Sequence, residues 1–149
     1  MNNKEIFEKL EDFGGSLQIV ETEKHNFIEG VEEILSKIND VETSAEELQK
    51  DFSEISKDDA FRLLVIGFRR CLAYSSYTHM ELEEAKEYAN LYFSIFSNKA
   101  KYYTLGSIPE SEEGVVCGWH GNITNATFEL TLFTVDNDKS VMFLIIDED

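Results

Sequence analysis

Basic residues are scarce in this chain. Thirteen lysines and arginines stand against thirty aspartates and glutamates, a formal net charge of −17. A field of that sign repels nucleic acid and anionic lipid, which argues against direct binding to either. Cysteine is nearly absent: Cys71 and Cys117 are too few for a disulfide framework, and free thiols in a reducing cytosol are the simpler expectation. With one proline, Pro109, no low-complexity segment and no internal repeat, residues 1–149 read as a single globular domain. No apolar run approaches the roughly 18 residues that span a bilayer. The opening MNNKEIFEKLEDF has no apolar core like that of a signal peptide. The expectation is a soluble cytoplasmic protein with no membrane partner.

Catalytic motifs are also missing. There is no GxxxxGK[ST], no GxGxxG opening a helix, no GxSxG and no HExxH. Thirty carboxylates place some near one another by chance, and no spacing singles out a pair for acid–base work. The segment DNDKSVMFLIID (136–147) has calcium-loop oxygens at Asp136, Asp138 and Ser140. Val141 stands where the sharp-turn glycine belongs, so the segment reads as a hairpin turn running into a strand. EEGVVCGWHGN (112–122) gathers Cys117, Trp119 and His120, which resembles a metal or nucleophile site. On a strand, Cys117 and Trp119 point one way while Gly118 and His120 point the other. Gly118 and Gly121 disfavour the helix that would reunite Cys117 with His120. His25, His79 and Cys71 add no ligand-like spacing, and acidic surroundings disfavour a thiolate. The sequence therefore points to no enzyme, no cofactor and no metal.

What is present is an amphipathic, well-patterned chain, 42% hydrophobic and 12% aromatic, which argues for a packed core. The apolar spacing predicts helices over 3–13, 26–38, 44–55, 58–74 and about 78–97. Ser44-Ala45-Glu46-Glu47 and Thr78-His79-Met80-Glu81 have capping-box form, and Asp58 or Asp59 can cap the fourth helix. SLQIVE (16–21), KYYTLGSI (101–108) and GVVCGW (114–119) read as short strands. ATFELTLFTV (126–135) and SVMFLIID (140–147) read as a hairpin across the turn residues 136–139. The last strand is apolar on both faces, with Val141, Phe143 and Ile145 against Met142, Leu144 and Ile146, so both of its faces should be covered. The fold class is α+β: four or five N-terminal helices packed on a mostly antiparallel C-terminal meander. Arg62, Arg69 and Arg70 are expected to pair with carboxylates of neighbouring helices.

A charge of −17 lies well beyond the magnitude of about 2 to 8 that keeps a small domain soluble. The excess points to a basic protein partner, whose association it would accelerate roughly 10- to 1000-fold at low salt. The expected class is an acidic inhibitory binding protein, such as a bacterial immunity protein or antitoxin that occludes a nuclease-type toxin. A DNA mimic that blocks a nucleic-acid-binding defence complex, or an enzyme with a cleft invisible in sequence, are the alternatives. Two surfaces are candidates for the contact. One is the loop PESEEG, with Glu110, Glu112 and Glu113, leading into the strand of Trp119. The other is the acidic helical face of Glu29, Glu32, Glu33, Glu46 and Glu47. Glu29 and Glu33 are like charges one turn apart, a cost of about 0.2–0.5 kcal/mol, partly offset because Glu29 lies near a helix N-terminus.

Overall fold

The computed structural model describes residues 1–70, 77–108, 110 and 123–147. Among these residues ten elements follow in order: α1 (Asn3–Glu11), β1 (Ser16–Thr22), α2 (Phe27–Leu35), α3 (Ala45–Leu48), β2 (Ser53–Ile55), α4 (Lys57–Arg69), α5 (Leu82–Phe93), β3 (Lys101–Thr104), β4 (Phe128–Val135) and β5 (Ser140–Asp147). The five strands form one antiparallel sheet in the order β1-β5-β4-β3-β2. The expected α+β arrangement is present, and β3, β4 and β5 form the expected meander. Two strands from the N-terminal half extend it: β1 is one edge and β2 the other.

Alternation along the strands divides the core into two layers. Val141, Phe143 and Ile145 of β5, with Leu130 and Leu132 of β4, pack against α1, α4 and α5. Met142 and Leu144 of β5, with Phe133 of β4, pack against α2, the α3 turn, Leu105 and Ile123. The two apolar faces of the last strand are thus both covered, as its composition requires. Tyr92, Phe143, Phe68 and Phe13 chain edge-to-face through the first layer at centroid spacings of 5.3–5.5 Å. Phe27, Phe52, Tyr103 and Phe133 cluster in the second. Such pairs add about 0.5–1.5 kcal/mol beyond their area.

Local rules fix most helix starts. Asn2, Asn26, Ser44 and Ser56 each accept the backbone N–H three residues on, so the α4 cap is Ser56 and not Asp58 or Asp59. The expected helix over 44–55 is a single turn. Phe52 swings into the aromatic cluster, and Ser53–Ile55 pair with Thr104–Tyr102 of β3, so sheet pairing overrides helical spacing. The second capping box does not form. Thr78 makes an antiparallel bridge to Arg70, and α5 begins at Leu82 with no side-chain cap at Glu81. Arg62 pairs with Asp59 of its own helix at 2.9 Å. Cys71, His120 and the expected strand over 114–119, with Cys117 and Trp119, lie outside the described residues.

The 136–139 turn is held by more than its own geometry. The Asp136 carboxylate accepts from Ser97 N (2.8 Å), Ser97 Oγ (2.5 Å) and Asn137 N (2.8 Å), tying the hairpin to the end of the α5 segment. Burial alone would raise this carboxyl, but the Ser97 bonds, the Asn137 N–H and Lys139 outweigh it and hold it below its ordinary value. A depressed folded value contributes stability above about pH 4 that is lost as pH falls through the folded pKa. Asp136→Asn turns an amide donor toward a donor, and should cost about 1–3 kcal/mol at pH 7. Urea unfolding of variant and parent at pH 7 and pH 3 checks this: the gap should narrow at pH 3, and a gap independent of pH would refute the assignment.

Candidate functional site

The charge is distributed unequally over the two faces of the sheet. Between residues 23 and 54, the span of α2 and α3, ten acids accompany three lysines. Nine of those acids are exposed, and Glu33 is half-buried. The helices of the opposite face, within 3–12, 57–70 and 81–93, also carry ten acids but seven bases. The acidic excess is therefore concentrated over the α2–α3 layer.

Helix α2 shows how the surface is built. Gly30, Val31, Ile34 and Leu35 face inward, so Glu29 and Glu32 stand on the outer arc, with Glu33 at its border. Gly30 lets the helix approach closely: a Cβ there would lie 2.8 Å from Ser140 Oγ and 3.1 Å from Phe133 Cζ. Glu33 meets Lys37 at 3.7 Å, whereas Glu29, Glu32, Glu46 and Glu47 have no ion-pair partner among the described residues. Ile28 projects into the same arc and is 54% exposed; Met1 and Tyr77 are the other exposed large apolar residues among those described. An apolar residue off the Phe27-Val31-Ile34-Leu35 stripe was readable as outward-facing from its helical position, and sequence reasoning passed over it.

Beside this arc lies an open cleft of about 870 Å³. Its lining includes Glu21 and Glu23 from the end of β1, Glu29, Glu33 and Lys37 from the α2 side, and Asp138 from the hairpin turn. No sequence signal joined Glu21 and Glu23 to α2, because β1 was legible only as a short strand. Lys37 crosses the cleft, donating to the Glu21 carbonyl at 3.0 Å.

The candidate residues separate as follows. Glu29, Glu32 and Glu33 lie together on α2, and Glu46 and Glu47 lie in the first turn of α3 on the same face of the sheet. Glu110 is exposed. Glu112, Glu113 and Trp119 lie outside the described residues. The segment after β3 leaves from Leu105 and rejoins at Ile123, both packed in the α2–α3 layer, and the Ile123 carbonyl accepts from Glu42 N at 2.8 Å. Buried Glu129 fixes that return: its carboxylate accepts from Ile123 N at 2.9 Å, Thr124 N at 2.7 Å and the Thr124 hydroxyl.

A smaller cleft of about 440 Å³, at the opposite end of β1, brings together Gly14, Arg70, His79 and Asp147. Burial pushes the His79 imidazole below its ordinary value, and the Asp147 charge opposes that shift. Among the described residues, no cluster of three or more His, Cys, Asp or Glu side chains is placed to hold a metal ion. No described helix is long and apolar enough to cross a membrane. No protein-family model matches this chain, and the searches of curated proteins and of solved structures returned no similar protein.

Proposed function

We infer that this is an acidic inhibitory binding protein, of the immunity or antitoxin type, whose partner is a basic protein such as a nuclease-type toxin domain. One observation carries the reading: ten acids against three lysines over a single face of the sheet, with Ile28 exposed among Glu29, Glu32 and Glu33. Carboxylates steer a cationic partner and then pair with its lysines and arginines. A desolvated apolar anchor ringed by polar groups supplies the durable part of such contacts. The inhibition is occlusion, with carboxylates standing where the phosphates of the partner's substrate would lie. An apolar centre fits this reading better than a nucleic-acid mimic, which calls for rows of carboxylates alone.

The test is co-expression and purification with the product of the adjacent upstream gene. The expected outcome is a tight complex whose association rate falls steeply with salt. Reversing Glu29 and Glu32 to Lys should slow association about 10-fold or more at low salt, with little change in unfolding midpoint. Ile28→Asp should speed dissociation. A complex indifferent to all three changes, or no basic partner retained at any salt concentration, would overturn the proposal.

A further inference from the structure

Among the described residues, strand β1 is a sheet edge of seven residues, whereas the opposite edge, β2, has three. Short edges are protected by their length; long ones present a row of pairing groups. The direction of those groups on β1 follows from the hairpin. Asp136 N–H donates to the Lys139 carbonyl. Backbone groups alternate sides along a strand, so odd-numbered β5 residues turn theirs toward β4 and even-numbered ones toward β1. The register from Thr22↔Ser140 to Ser16↔Ile146 then aims the even β1 residues at β5. The amides and carbonyls of Leu17, Ile19 and Glu21 are left on the open side. The Lys37 ammonium on the Glu21 carbonyl independently marks that side as outward. Among the described residues, no hydrogen bond fills the outer groups of Leu17 or Ile19.

We propose that this edge accepts an extended, cationic segment of the basic partner by strand addition. The proposal deepens the binding reading above and rests on it. Leu17 and Ile19 pack toward the α1–α4–α5 layer, and Val20 toward α2. Side chains of an added strand alternate in the same way. One set lies beside Ile19 and is apolar. The other lies on the Val20 face, along the cleft of Glu29 and Glu33, and is cationic. Lys37 already shows the chemistry, an ammonium shared between an edge carbonyl and an α2 carboxylate. A second copy of the chain is a poor occupant, since each copy carries −17.

The experiment titrates the ¹⁵N-labelled full chain with a heptapeptide alternating lysine and valine, beside a lysine–proline heptapeptide of equal charge that lacks half the amide donors. The expected result is that the lysine–valine peptide shifts the Leu17, Ile19 and Glu21 amides and slows their hydrogen exchange. Its affinity should exceed that of the proline peptide about tenfold and fall about tenfold in Glu29→Lys/Glu33→Lys, as steering by local charge implies. Ile19→Pro removes an outward N–H while sparing the β5 ladder, and should abolish the edge response. If that variant does not fold, exchange in the parent protein decides. Equal binding of both peptides with shifts confined to α2 overturns strand addition and leaves the acidic-surface reading standing. Slow exchange of the edge amides in the free protein, or self-association through β1 by sedimentation, overturns it as well. Failure of both peptides to bind at low salt sinks this proposal and weakens the charge reading with it.

Discussion

Glu129→Ala should cost about 3 kcal/mol or more of unfolding free energy, among the largest effects open to a single substitution here. Glu129 is 4% exposed, and both of its oxygens are committed to the Ile123–Thr124 turn. Truncation strands two buried backbone N–H groups and a hydroxyl, each costing about 1–3 kcal/mol when unsatisfied. Glu129→Gln keeps one acceptor but points an amide donor at an N–H, so it should fall between parent and Ala. Urea unfolding at pH 7 measures the loss, and hydrogen exchange at Ile123 and Thr124 locates it. A loss below about 1 kcal/mol, within the range of an ordinary surface change, would mean that the returning loop is held by something else.

Gly30→Val is the second large effect, expected at about 2–3 kcal/mol from overpacking alone. A Cβ would lie 2.8 Å from Ser140 Oγ, 3.0 Å from Ser140 Cβ and 3.1 Å from Phe133 Cζ. Ser140 cannot simply turn away, because its hydroxyl donates to the Lys24 carbonyl at 2.6 Å. Gly30→Ala gains about 1 kcal/mol of helix propensity against the same clash, so it should be much milder. Adding Ser140→Ala to Gly30→Ala removes the closest atom and should recover part of any loss, a coupling that a double-mutant cycle reads directly. Gly67 on α4 is the contrast. Its contacts are Leu130 Cδ1 at 2.9 Å and Ile145 Cδ1 at 3.0 Å, methyl ends that can rotate, so Gly67→Ala should cost less than Gly30→Val. Equal losses at the two sites would refute this account of how α2 is seated.

The elements legible in advance were those whose periodicity and burial agree. The two-faced apolar pattern of 141–146 marked β5 as covered on both sides, and its two residue sets sort into the two core layers. The 26–38 stripe gave α2, and its off-stripe glutamates gave the outer acidic arc. Expectations failed where a distant partner decided. Ser53–Ile55 has helical spacing with Ala45 and Leu48, yet β3 claims it. Thr78 offers a hydroxyl for a cap, yet its backbone bridges to Arg70. The edge position of β1 and the cleft beside it depend on which strands are neighbours, and no local pattern encodes strand order. Ile28 was different: its outward placement was present in the sequence and went unread.

The neighbour of β1 carries a consequence for synthesis. Ser16 pairs with Ile146 and Thr22 with Ser140, so a strand made early waits for one made much later. Both core layers rest on β5, and α2, which packs on β5 as well as on β1, lacks part of its seat until that strand has left the ribosome. Pairings this distant give a high contact order and slow folding. During that interval the α2–α3 half bears like charges in excess, and mutual repulsion between nascent chains would hold open apolar faces apart until the final strand arrives.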